Sequence, residues 1–144
     1  MIQHDTIELL RECDAGIQMG IYAIDEVKSH AKNPDFKRIL DDYQRQYALL
    51  QNEMESVLHD YNDEGKDPAP LAKGMAWLKT NLTLAVKEND TTIADLITDG
   101  CNMGIKSLNK YLNQYKAADE RAKDFTRRLI ELQDRQLKDI RRYL

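Results

Sequence analysis

Gly16-Ile17-Gln18-Met19-Gly20-Ile21 and Gly100-Cys101-Asn102-Met103-Gly104-Ile105 carry Gly, Met, Gly and Ile at matching places, 84 residues apart. A match of this kind means that one structural unit serves twice. Around the first copy, Leu10, Cys13, Ile17, Gly20, Ile24, Val27 and Ala31 advance by alternating steps of three and four. Around the second, Ala94, Ile97, Cys101, Gly104, Leu108, Tyr111 and Tyr115 keep the same rhythm. Such steps place every member on one stripe of a helix, turned toward a neighbouring helix. Gly16, Gly20, Gly100 and Gly104 thus fall inside helices, where each costs up to about 1 kcal/mol relative to Ala. The expected compensation is close approach of the first and third long helices, backbone against backbone. Room for a ligand inside the bundle is the alternative.

Each copy runs on into a second helix. Asn33-Pro34-Asp35 is a stop and restart: Asn33 can cap, and Pro34 suits a first helical position, where its missing N–H has no partner to lose. Beyond it Phe36, Leu40, Tyr43, Tyr47, Leu50, Met54, Val57 and Tyr61 form a stripe. The matching break is Lys116-Ala117-Ala118-Asp119, followed by Ala122, Phe125, Leu129, Leu132, Ile140 and Tyr143, a stripe interrupted by Gln133 and Gln136. Connections this short make each pair an antiparallel hairpin. Asp5 with Glu8 offers a capping box for the first helix, and Asn89-Asp90 offers caps for the third.

Between the pairs, Asn62 to Pro70 is the one stretch dense in turn formers, and Leu71, Met75, Leu78, Leu82 and Val86 then mark a short amphipathic helix holding Trp77. The expected organisation is a single domain over 1–144: hairpin 1 at about 5–61, a crossover at about 62–89 and hairpin 2 at about 90–144. Two hairpins joined by one long crossover make an all-α, ferritin-like four-helix bundle.

Composition narrows the function classes. Twenty-one basic against 25 acidic residues leave a net charge of −4, which gives no global attraction to nucleic acid. The basic residues of the last helix, among them Arg121, Arg128 and Arg135, alternate with Glu120, Glu131 and Asp134, as on a solvated face. Two cysteines do not staple a secreted mini-domain and suit a reducing compartment. Met1 to Asp5 lack the basic and apolar regions of a signal peptide, and no run approaches the roughly 18 apolar residues of a membrane span. A cytoplasmic protein with no membrane or nucleic-acid partner is expected.

A bundle of this kind does redox chemistry when its core holds two metals. That takes a Glu from each of two helices and a Glu-x-x-His from each of the others, because residues three apart share a helix face. The histidines are His4, His30 and His59; Val27 stands three before His30 and Ser56 three before His59. No Glu-x-x-His or Asp-x-x-His occurs, so a conventional di-iron centre is not expected.

The run Cys13-Asp14-Ala15-Gly16-Ile17-Gln18-Met19-Gly20, its echo at Gly100 and the crossover with Trp77 resemble a family of uncharacterised bacterial ferritin-like four-helix bundles, a domain of unknown function. The resemblance spans nearly the whole chain on short motifs and implies that fold and a bacterial origin. In the family pattern the Gly of the first and third helices is followed by Glu; here Ile17 and Cys101 stand instead. The usual carboxylate positions are thus lost, which argues against a metal site.

Other constellations have plain readings beside sharper ones. Glu26 with His30 and Glu55 with His59 have the spacing of exposed intrahelical ion pairs. The sharper reading is a surface metal site from His4, Glu55 and His59, since the end of the second helix returns to the start of the first. Cys13 and Cys101 read as small hydrophobes, with no cation or helix N-terminus nearby to activate a thiol. Tyr43, Tyr47 and Tyr61 read as core facing Tyr111 and Tyr115, with Gln18, Gln44, Asn102, Gln133 and Gln136 to meet their hydroxyls.

These features lead to a non-catalytic bundle, acting as a scaffold, assembly or stress-related binding protein that needs no cofactor and associates with a protein partner or with itself. The rival is a metal-dependent oxidoreductase or metal-storage protein with an unconventional site, from Asp14, Gln18, Glu26 and His30 or the His4/His59 end. A carrier of small molecules beside the helical glycines is the third reading.

Overall fold

Asn33, Asn89 and Asp119 are extended residues whose side chains each accept from backbone N–H groups of the helix that follows. These caps satisfy donors that a helix start leaves unpaired, and they set the punctuation of the chain. In the computed structural model, which describes residues 2–63, 76, 78–80 and 89–144, four long helices follow: α1 (Ile2–Val27), α2 (Pro34–Asp60), α3 (Asp90–Gln114) and α4 (Glu120–Ile140). A single 3-10 turn, Arg141–Tyr143, closes the chain. Residue 76 and residues 78–80 of the crossover are helical as well. The other apolar positions expected there, Leu71, Met75, Leu82 and Val86, lie outside the described residues with Trp77.

The stripes are the core. Leu10, Cys13, Ile17, Ile24, Val27 and Ala31 are buried from the first stripe, and Ala94, Ile97, Cys101 and Leu108 from that of α3. Phe36 to Val57 on α2 and Ala122, Phe125, Leu129, Leu132 and Ile140 on α4 complete it. Helix α1 packs on all three others and α4 likewise, so these two share the short diagonal while α2 and α3 stand farthest apart. That arrangement corrects one expectation. The tyrosines of α2 do not face Tyr111 and Tyr115, which stack on each other at 6.3 Å; they reach α4 and its cap instead.

Hydrogen bonds at both ends of the bundle tie the hairpins together. Asp5 lies within α1, which already begins at Ile2, so it caps nothing in its own helix. Its Oδ2 accepts from the backbone N–H of Ala117 at 3.0 Å, and Thr6 Oγ1 accepts from Asp119 N at 2.8 Å, both in the turn between α3 and α4. At the opposite end the carboxylate of Asp90 accepts from the N–H groups of Lys32 and Asn33, at 2.8 and 2.9 Å, in the turn between α1 and α2. Each hairpin therefore grips the turn of the other, and α1 runs antiparallel to α3. Asn62, at φ 56°, takes the left-handed conformation that ends α2. The next residue, Asp63, receives a forked pair of hydrogen bonds from Arg11 of α1 at 2.6 and 3.0 Å.

Candidate functional site

The four helical glycines do not bring backbone onto backbone. A Cβ at Gly20 would stand 2.9 Å from the ring of Tyr47, and one at Gly104 would stand 2.7 Å from both polar ends of the Gln133 carboxamide. In each hairpin, then, the second glycine is a notch filled by a side chain of that hairpin's returning helix. A Cβ at Gly16 would approach Leu129 to 3.3 Å, and one at Gly100 would meet nothing within 4 Å. The expectation of close backbone packing is replaced by side chains seated in notches, and by open space at Gly100.

That open space belongs to a groove of about 530 Å³ between α1 and α3, within the usual range of small-molecule sites, roughly 300–1,000 Å³. Ala15, Gly16, Gly20 and Ala23 form the α1 wall, and Leu96, Gly100, Met103 and Gly104 form the α3 wall. Small side chains on both helices leave the volume free where larger ones would close it. Leu78 of the crossover also lines it, and is buried.

The floor is polar. Tyr47, Gln133 and Gln136 reach it from α2 and α4. The Tyr47 hydroxyl donates to Gln136 Oε1 at 2.6 Å, and the Cys101 thiol donates to the same oxygen at 3.5 Å. Gln133, only 6% exposed, keeps its Oε1 buried beside this floor with no hydrogen-bond partner among the described residues. A buried amide oxygen left unpaired costs about 1–3 kcal/mol, so this atom marks where the groove can gain most from a donor.

The cysteines are free and buried. Burial pushes the Cys101 thiol up to about 12. It pushes Cys13 up to about 12 as well, against the hydrogen bond with Thr126, whose hydroxyl lies 3.0 Å from the sulfur. Both thiols are thus favoured in their protonated form. Burial also raises Tyr43 and Tyr47 well above their ordinary range, helped at Tyr43 by its hydrogen bond to Asp139. Tyr61 donates to Asp119 at 2.6 Å. The expected tyrosine–glutamine network thus forms at Tyr47 and Gln136, whereas the other two hydroxyls go to aspartates. Gln18 donates to Asp14, Gln44 accepts from Lys28, and Asn102 is exposed.

The metal candidates lie on the surface. His4, Glu55 and His59 are all exposed, and among the described residues no three His, Cys, Asp or Glu side chains form a group able to hold a metal ion. No ion pair joins Glu26 to His30 or Glu55 to His59 among the described residues; α1 ends at Val27, so His30 sits in the turn beyond it. Asp14 is buried and accepts from Gln18 at 2.9 Å and Gln51 at 3.2 Å, as a structural carboxylate between α1 and α2. On the basic face of α4, Arg128 forks onto Glu53 at 2.7 and 3.1 Å and Arg121 reaches Asp60 at 3.4 Å, so these cations pair with α2. A shallow cavity of about 250 Å³ beside that fork is lined by the same ion pair.

Sequence reasoning singled out the glycines and named Gln133 and Gln136 as possible partners of tyrosines, yet did not join them into one site. The signal was their spacing: two glutamines three apart, inside an apolar stripe. Among the described residues no helix is long and apolar enough to cross a membrane. Comparison with known protein families, with curated proteins and with solved structures finds no match.

Proposed function

We propose that this protein is a non-catalytic helical bundle that works by binding, and that its ligand is a small, largely apolar molecule held between α1 and α3. The observation that carries this reading is the coincidence of an apolar groove of about 530 Å³ with a buried oxygen on its floor, that of Gln133, which has no hydrogen-bond partner among the described residues. Neither the small-residue walls nor the oxygen alone would suffice. Together they give the two parts of a ligand site, an apolar volume and a directional polar point. The topology, two hairpins joined by a long crossover, suits the ferritin-like arrangement expected from the sequence, with a ligand groove in place of a metal pair.

A scaffold acting through its outer surface is less well supported. The large exposed apolar side chains among the described residues are Leu49 on α2, Met103 on α3 and Leu144 at the C-terminus. They come from separate elements, and single exposed apolar residues are ordinary. Met103 is the exception in being part of the groove wall.

The test is titration of the whole chain with Nile red, an uncharged dye whose emission rises in apolar surroundings. A saturable rise at a single dye per chain, lost in Gly100→Leu, supports the reading. Gly100 is the position to fill because a Cβ there meets no described residue within 4 Å. An unsaturable response, or one that Gly100→Leu leaves unchanged, would overturn it. Native mass spectrometry of gently purified protein then asks whether a molecule is retained.

A further inference from the structure

Resting on that reading of the groove, we infer that its ligand is a neutral amphiphile, an apolar body carrying a hydroxyl or amide N–H head that donates to Gln133 Oε1. Three observations on the floor and walls lead there. First, the Gln136 oxygen is already engaged by the Tyr47 hydroxyl and the Cys101 thiol, whereas Gln133 Oε1 is not engaged by any described residue. The Gln133 carboxamide therefore offers an unengaged acceptor beside the N–H donors of the same group, and the head that completes it is one able to donate. Second, the carboxamide of Gln133 lies over Gly104, packed where a Cβ would stand. Its terminal torsion is a soft one, so a modest turn presents the oxygen to the groove while the stem stays in the core. Third, no Lys or Arg lines the groove among the described residues, and Glu12 is the one charged side chain that does.

The charge pattern discriminates between head groups. A carboxylate or phosphate head brought to this floor would be buried without a cation, and a buried charge is tolerated only when paired. An ether or a plain alkane loses less on desolvation but leaves the Gln133 oxygen unpaired. A site that hydrogen-bonds a ligand hydroxyl rejects an analogue lacking it for that reason. A hydroxyl or amide N–H head satisfies the oxygen and introduces no charge. It also leaves the pairing of Tyr47 with Gln136 intact.

The experiment measures binding of decanol, decyl methyl ether, decanoate and decylammonium to the full chain by displacement of Nile red. Decanol should bind about tenfold more tightly than the ether or the carboxylate, the effect of one buried hydrogen bond. In Gln133→Met, which keeps an unbranched side chain of similar size over Gly104, the decanol-to-ether ratio should fall to near unity with the ether's affinity retained. If Gln133→Met fails to fold, the wild-type ratios decide alone. Equal binding of decanol and ether in the wild-type chain overturns the inference, as does tightest binding of decanoate or of decylammonium. If all four bind alike and Gly100→Leu blocks them, the groove reading stands and the head-group inference falls. If none displaces the dye, both fall.

Discussion

Helices α1 and α3 carry the same spelling, Gly-x-x-Met-Gly-Ile, yet the two glycine pairs do different things. In α1 both glycines are against side chains, Leu129 at Gly16 and the Tyr47 ring at Gly20. In α3 only Gly104 is, against the Gln133 carboxamide, while Gly100 faces open space. The first hairpin fills its notch with a rigid ring that is hydrogen-bonded onward to Gln136. The second fills its notch with a flexible amide whose oxygen has no partner among the described residues. The difference teaches that a glycine in a helix fixes an opportunity, and that the facing residue decides whether it becomes packing or volume.

Alkaline pH should give the largest effect and compare the helices through their cysteines. Each thiol ordinarily ionises near 9.0 and is held up to about 12 in the fold, by burial above all. Between about pH 9 and 12 each stays protonated in the folded chain but ionises on unfolding, so its stabilisation is whole below pH 9 and is lost as pH rises toward 12. A loss on the order of a few kcal/mol by about pH 11 is expected from urea midpoints. Cys13→Ala and Cys101→Ala should each flatten that slope. A flattening from only one would make the helices unequal here too.

Gly20→Ala comes next. Its methyl would press on the Tyr47 ring, which cannot swing aside without leaving Gln136, and overpacking of this kind costs about 1–3 kcal/mol. Gly104→Ala should cost less, because the end of Gln133 can move. Equal urea midpoints for the two variants would erase the contrast between ring and amide. Tyr47→Phe removes one of the two donors to Gln136 Oε1 and should lower stability by about 1 kcal/mol, checked by the same denaturation. The smallest effect has the opposite sign. Gly100→Ala adds a methyl where nothing stands within 4 Å, and should raise stability by about 0.5–1 kcal/mol. A loss of stability there would mean that Gly100 is as crowded as Gly20.

Much of the fold was legible because helix stripes are local and periodic. Ile17 and Cys101 fall on buried faces where steps of three and four place them, and Asn33 and Asn89 cap the helices that follow them. What escaped was non-local. Asp5 has the look of a cap for its own helix, but its carboxylate serves Ala117, 112 residues away, and no local pattern announces such a partner. Periodicity also shows which face turns inward without showing which side chain will arrive opposite. The filling of the glycine notches by Tyr47 and Gln133 is therefore a tertiary fact. Gln133 and Gln136 looked like breaks in a stripe because polar residues on an apolar face are ambiguous until their partners are known. Their burial, at 6% and 2% exposure, turns that break into the floor of the groove.

The aspartates at the two ends act as end stops. Asp5 holds the turn after α3, and Asp90 holds the turn after α1. Smooth apolar stripes tolerate sliding, since a shift of one turn, about 5.4 Å, brings similar side chains back into contact. A slide in either direction here would strip both turns of their acceptors at once, so the register between the hairpins is locked from both ends. The spacing of the walls around Gly100 is inherited from that lock, and the width of the groove is decided at the tips of the molecule.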